Sequence, residues 1–153
     1  MDKNYRNTVL GIIKRDDGKI LITFSKRINS IDENFVDKEV YKFPQGGIEE
    51  GENPEEAINR ELNEELGINF ANVKKDTLKG HVSYWFKNTK KPDFEIRLHA
   101  FLINIEDLNK NNFRYDKEEI SRIRWIKPNE IKKLKLGIRH DAYIKILKEF
   151  KLI

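Results

Sequence analysis

Apolar residues come in short bursts along this chain, with alternating polar partners, and one stretch breaks that habit. Residues 8–14 and 19–25 are β-rich runs on either side of Asp16-Asp17-Gly18, a strong hairpin signal. Residues 28–39 are a polar loop, and 40–43 form a short strand that leads into a turn-forming loop, Pro44-Gln45-Gly46-Gly47, with a second turn at Gly51. From Asn53 the period becomes helical. Asn53 is a suitable N-cap, Pro54 suits the first helical position, Glu56 stands where a capping-box carboxylate reaches back, and Gly67 ends the helix after Leu66. Ile58, Leu62 and Leu66 make an apolar stripe that anchors this helix to a sheet.

Further on, 73–85 is expected as a strand, 87–93 as its turn, and 94–103 as the strand that returns antiparallel. Residues 104–117 are mostly polar and irregular, 120–126 form another strand, and 129–134 a short helix. A last helix over 138–150 puts Ala142, Ile146 and Phe150 on one side, with Tyr143 and Leu147 adjoining. Strands around a central helix, with a second helix at the end, define an α+β fold. At 153 residues the chain is expected to be a single domain over 1–153 with a real core.

Composition narrows the classes. With 38% hydrophobic and 37% charged residues, the chain reads as a soluble protein with a heavily ionised surface. There is no cysteine, so disulfides and thiolate chemistry are excluded. No apolar run reaches membrane-spanning length and the first residues are no signal peptide, so no membrane association and a cytoplasmic location are the default expectation. No obligate protein partner is evident. The net charge is +4, and Lys132, Lys133, Lys135, Arg139, Lys145, Lys148 and Lys151 crowd the C-terminal end. That balance suits a polyanionic substrate, and equally a solubilising surface.

The chemistry is concentrated on the central helix. Glu61, Glu64 and Glu65 have the i, i+3, i+4 spacing and share one face. Three carboxylates so placed repel one another, and a cation removes that penalty. An all-oxygen donor set favours a hard ion, magnesium or manganese, over zinc. Arg60 lies off the acidic face, where it can reach back to Glu52 and tie the loop to the helix.

Gly46, Glu52, Arg60, Glu61, Leu62, Glu64, Glu65, Gly67 and Ile68 match G-x5-E-x7-R-E-U-x-E-E-x-G-U, U being aliphatic, at every defined position. This resembles the Nudix box, whose family hydrolyses nucleoside diphosphates linked to another group with a divalent metal. The resemblance implies a mixed β-sheet sandwiched between helices, with the box as a loop–helix–loop at one edge. It implies a metal held by Glu61, Glu64 and Glu65 with help from the Gly46 carbonyl, and catalytic roles for Glu52 and Arg60. Family members take the proton with a box glutamate or a distant one. Here these are Glu61 and Glu119, the latter a base or a further metal ligand, or a plain surface acid beside Asp116 and Glu118.

Outside the box the chain is similar to the bacterial RNA pyrophosphohydrolases and the related dinucleoside polyphosphate hydrolases. Tyr5-Arg6 before an apolar strand, the run from Tyr41 to Ile48, the segment 119–126 and the terminal segment 139–150 carry that likeness. It departs at Asp93-Phe94-Glu95-Ile96-Arg97, where the group has Gly-Gln-x-Gln, and in a longer loop before Tyr41. The implied substrate is a nucleotide polyphosphate, an RNA 5′-triphosphate end or a dinucleoside polyphosphate. A housecleaning hydrolase of oxidised or free nucleoside triphosphates is the alternative, followed by a nucleotide-binding sensor that does not cleave. Arg6, Arg27 and Arg139 are the candidate phosphate grips, Arg27 and Arg139 equally suiting a surface charge. Tyr84, Trp85 and Phe86 suit either purine stacking or core, and His81, His99 and His140 have no ligand spacing.

Overall fold

The computed structural model describes residues 4–25, 40–86, 94–105 and 122–153. Within them the chain runs β1 (Tyr5–Arg15), β2 (Ile20–Ser25), β3 (Val40–Lys42), β4 (Gln45–Gly47), α1 (Pro54–Leu66), β5 (Lys75–Thr77), β6 (Val82–Phe86), β7 (Phe94–Ile105), β8 (Arg122–Ile126) and α2 (His140–Glu149). Two 3₁₀ segments, Pro128–Lys133 and Gly137–Arg139, precede α2.

One mixed sheet joins all the described strands, in the order β3-β2-β1-β7-β5, with β4 also on β1, β6 on β7 and β8 on β2. Its spine is the parallel pair β1–β7, in register from Tyr5 opposite Glu95 to Arg15 opposite Ile105. The remaining pairs are antiparallel. Both spine strands outrun their predicted ends, 8–14 and 94–103, because each supplies the other's backbone hydrogen bonds along its full length.

The β1–β2 hairpin turns as expected. Gly18 takes φ +84°, which costs a glycine little, and the Asp17 carboxylate accepts from Arg15 Nη2 at 2.6 Å and the Lys19 amide at 3.1 Å. Four expectations are corrected. The 44–47 loop contains a true strand, since Gln45–Gly47 pairs with Thr8–Leu10 of β1. The single strand over 73–85 is two, β5 and β6, broken at 78–81 where Gly80 takes φ +83°. The final helix begins at His140, two residues late, after a 3₁₀ turn, and the short helix at 129–134 is the 3₁₀ segment Pro128–Lys133.

The sheet is packed on both faces, as the α+β sandwich requires. On one side Ile58, Leu62 and Leu66 of α1 lie fully buried against Val9, Ile13, Phe101 and Ile103. Gly11 permits the close approach, because a Cβ there would stand 3.3 Å from both Ile58 Cδ1 and Leu62 Cδ2. On the other side Ala142, Tyr143, Ile146 and Leu147 of α2 meet Leu10, Ile12, Phe43, Tyr84 and Leu98. Phe150 is only partly buried, and Tyr143 takes the central place expected of that stripe. No helix among the described residues is long and apolar enough to cross a membrane.

Candidate active site

Local sequence sets α1 in place. The Asn53 side chain accepts from the Glu56 amide at 2.8 Å, and the Glu56 carboxylate accepts from the Asn53 amide at 3.1 Å, so the capping box is complete. At the other end Gly67 takes φ 71° and its amide donates to the Asn63 carbonyl at 2.8 Å.

Between β4 and α1 the loop is held by Arg60. Its Nε and Nη2 donate to Glu52 at 2.8 and 2.9 Å, a two-pronged contact, and Nη2 also donates to the Gly47 carbonyl at 2.9 Å. The guanidinium beside Glu52, with the Glu49 amide donating to the same carboxylate, holds that carboxyl at about 2. Spacing alone sets Arg60 off the acidic face, and the structure corrects this. Its Nη1 lies 2.8 Å from Glu61 Oε1 and 3.4 Å from Glu64 Oε2, because a long side chain spans the distance that separates the faces. One guanidinium therefore serves the loop carboxylate and two helix carboxylates together.

The three helix carboxylates are graded by depth. Glu65 is 6% exposed, Glu61 is largely covered, and the Glu64 side chain is 58% exposed. Among the described residues no three acidic or imidazole side chains already stand together as a metal cage, and Glu61 and Glu64 are turned towards Arg60. The donor chemistry nevertheless fits a hard divalent ion. A Cβ at Gly46 would lie 2.0 Å from Glu61 Cδ and 2.2 and 2.3 Å from its oxygens, so glycine is what lets this carboxylate sit directly on the β4 backbone. That close approach brings the Gly46 peptide and a buried-side carboxylate into one place, as the oxygen-rich shell of magnesium requires.

Arg6, on β1, reaches the same loop: a Cβ at Gly47 would lie 2.2 Å from its Nη2. Arg139 is not a surface charge. It is 4% exposed, its Nε has no hydrogen-bond partner, and its Cζ lies 5.3 Å from the centre of the Tyr84 ring. The second reading offered for Arg139 is thereby excluded, since α2 and β6 close over it. Near it is a polar cluster that sequence reasoning did not assemble. The Tyr143 hydroxyl donates to Gln45 Oε1, and Gln45 Nε2 donates to the Tyr84 hydroxyl at 3.1 Å. Burial pushes the Tyr143 phenol well above its ordinary range, while the nearby Arg139 charge opposes that rise. Gln45 and Tyr143 are 98 positions apart, and no local period announces such a contact.

Tyr84 and Phe86 are core residues, and Trp85, between them, is 48% exposed. Arg27 and Glu119 lie outside the described residues, as do Asp116 and Glu118.

A family model described as the NUDIX domain matches residues 4–147, and the chain belongs to that family. The RNA pyrophosphohydrolase of Zymomonas mobilis subsp. mobilis is 31% identical over 131 residues, covering 76% of this chain and 81% of that one. The protein of the same name from Ectopseudomonas mendocina is 41% identical over 70 residues, 46% of this chain and 38% of that one. The crystal structure of the MutT protein from Methanosarcina mazei Go1 shares the fold, with a TM-score of 0.68 over 99% of both chains at 20% identity. The protein is thus a Nudix hydrolase acting on pyrophosphate bonds, in a family that uses divalent metal ions such as magnesium.

The Gly46–Glu61 contact makes a direct prediction. Gly46→Ala forces the Glu61 carboxylate away from the β4 backbone, and a displacement near 1 Å at a reacting centre costs roughly 10²-fold in rate. Turnover with magnesium should fall by about that factor while the melting temperature moves far less. Wild-type turnover in this variant would show that Glu61 does not need its place.

Proposed function

We propose that the chain, as one Nudix domain, hydrolyses a phosphoanhydride in a nucleotide bearing three or more phosphates in a row, at RNA 5′-triphosphate ends or in dinucleoside polyphosphates. The observation that carries this is the Glu61 carboxylate seated on Gly46, beside the buried Glu65 of the same helix. Glu61, Glu64, Glu65 and the Gly46 carbonyl would hold magnesium or manganese, and Glu119 is a further candidate ligand. When bound, such an ion neutralises charge on the phosphate and acidifies the attacking water.

The chain's own residues do the rest. Water bonds to phosphorus as the bridging oxygen leaves, and a carboxylate, Glu119 or Glu61, takes the water's proton. Glu52 and Arg60 act by holding the loop through their two-pronged contact. Arg6 stands over Gly47 and Arg139 carries an Nε without a partner, so both suit phosphate oxygens, with Arg27 the third candidate. A buried guanidinium with an unpaired N–H is costly, and an anionic ligand offsets that cost.

The relatives named above favour RNA 5′ ends among these substrates. One panel tests this: 5′-triphosphorylated RNA, diadenosine polyphosphates and free nucleoside and deoxynucleoside triphosphates, each with magnesium. The first two should give the higher kcat/KM. Strong preference for an oxidised deoxynucleoside triphosphate or a nucleoside-diphosphate sugar would refute the assignment. Tight binding of these nucleotides with no cleavage would favour a sensor.

A further inference from the structure

At the β3–β2–β8 margin, on the sheet face that α2 covers elsewhere, two rings and two guanidinium groups gather that the hydrolysis above does not use. Tyr41 is opposite Phe24, and Phe24 is opposite Arg122, so the three form one row across the sheet. Arg124, opposite Ile22, lies in the next row of the same face. The Phe24 and Tyr41 ring centres are 4.9 Å apart. Arg122 Cζ stands 4.7 Å from the Phe24 ring centre and Arg124 Cζ 5.9 Å from that of Tyr41. Both guanidinium groups donate to the Tyr41 hydroxyl, at 3.1 and 3.4 Å.

Two like charges meeting on one phenol repel, and both arginines are exposed. Among the described residues the acid paired with them is Glu130, 3.7 Å from Arg124. Lys132, Lys133 and Lys135 follow it, all exposed, and the Lys135 carbonyl accepts from the Tyr41 amide at 2.8 Å. Among the described residues, positive side chains therefore outnumber acids along this margin, laid on half-buried aromatic faces. Base stacking on rings and guanidinium planes, with phosphates neutralised alongside, is how proteins hold single-stranded nucleic acid.

We propose that Phe24, Tyr41, Arg122 and Arg124 form a docking surface for single-stranded RNA, taking the part of the chain that trails from the 5′ end under hydrolysis. This rests on the proposed action at RNA 5′ ends. Reach allows it: Tyr41 precedes Gly46 by five residues, a span of at most roughly 18 Å. The surface gives the enzyme a reason to prefer a polynucleotide over a free triphosphate.

The test is fluorescence anisotropy of a 5′-monophosphorylated RNA decamer, a product that cannot turn over, with the full chain across a salt series. Arg122→Ala should weaken binding at every salt concentration and reduce the salt slope by about 1. Tyr41→Leu should weaken it roughly 5- to 100-fold through lost stacking. Circular dichroism checks folding, and the exposed Arg122 position keeps the test sound if the Tyr41 variant is unstable. Inorganic polyphosphate, charged but without bases, should compete poorly. Wild-type binding by the Arg122 variant overturns the proposal. So does polyphosphate or an acidic peptide that competes as well as RNA. A protein that binds the decamer through this surface yet leaves 5′-triphosphorylated RNA uncut upholds the surface and refutes the substrate assignment. Cleavage of that RNA with unaltered binding in the folded variants refutes the surface alone.

Discussion

Glu65→Gln should reduce turnover by roughly 10²–10³-fold, the loss typical of a group that stabilises charge in the transition state. Glu65 is the deepest carboxylate of α1, at 6% exposure, on a helix locked by a complete capping box and by Ile58, Leu62 and Leu66. The amide keeps the shape and removes one of three crowded negative charges, so the helix should stay folded. Glu64→Gln should act in the same direction from the exposed edge of the row, its side chain being 58% exposed. Steady-state kinetics with magnesium, alongside a thermal melt, separates lost chemistry from lost fold. Near-wild-type rates in both variants would remove the metal-holding role from this face of α1.

The second large effect is expected at Glu119. A positioned general base contributes roughly 10²–10⁴-fold, so Glu119→Gln should lose that much in kcat. KM should change little, because proton transfer belongs to the transition state and not to substrate binding. Glu118→Gln is the internal control and should be nearly silent. If the two variants behave alike, or Glu118 proves the more damaging, the base role passes to Glu61. That residue stands on Gly46 and within 2.8 Å of Arg60.

Which parts of this molecule were legible in the sequence follows from the range of the interactions that build them. The start and end of α1 rest on contacts three or four residues apart, Asn53 with Glu56 and Gly67 with Asn63, which local sequence encodes directly. The Asp16-Asp17-Gly18 turn is equally local. The strand at Gln45–Gly47 is hidden in the sequence because those residues favour turns, and only pairing with β1 imposes extension on them. The parallel pairing of β1 with β7 joins residues about ninety positions apart, and no pattern within either strand encodes it. Arg139 shows the same limit at the site. Beside a lysine-rich terminus it suits a surface charge, and only the closing of α2 and β6 makes it a buried cation. The Arg60–Glu52 tie was visible from spacing, whereas the additional reach to Glu61 and Glu64 depended on side-chain length and rotamer.

The central claim is that the carboxylate row of α1, pressed against Gly46, holds the divalent ion on which hydrolysis depends. Titrating manganese into the protein, with the free ion followed by electron paramagnetic resonance, tests it without recourse to activity. The wild-type chain should take up manganese, magnesium should displace it, and Glu65→Gln should bind at least roughly tenfold more weakly, a change of about 1.4 kcal/mol. Equal uptake by the wild type and the Glu65→Gln and Glu64→Gln variants would place the ion elsewhere and contradict the account.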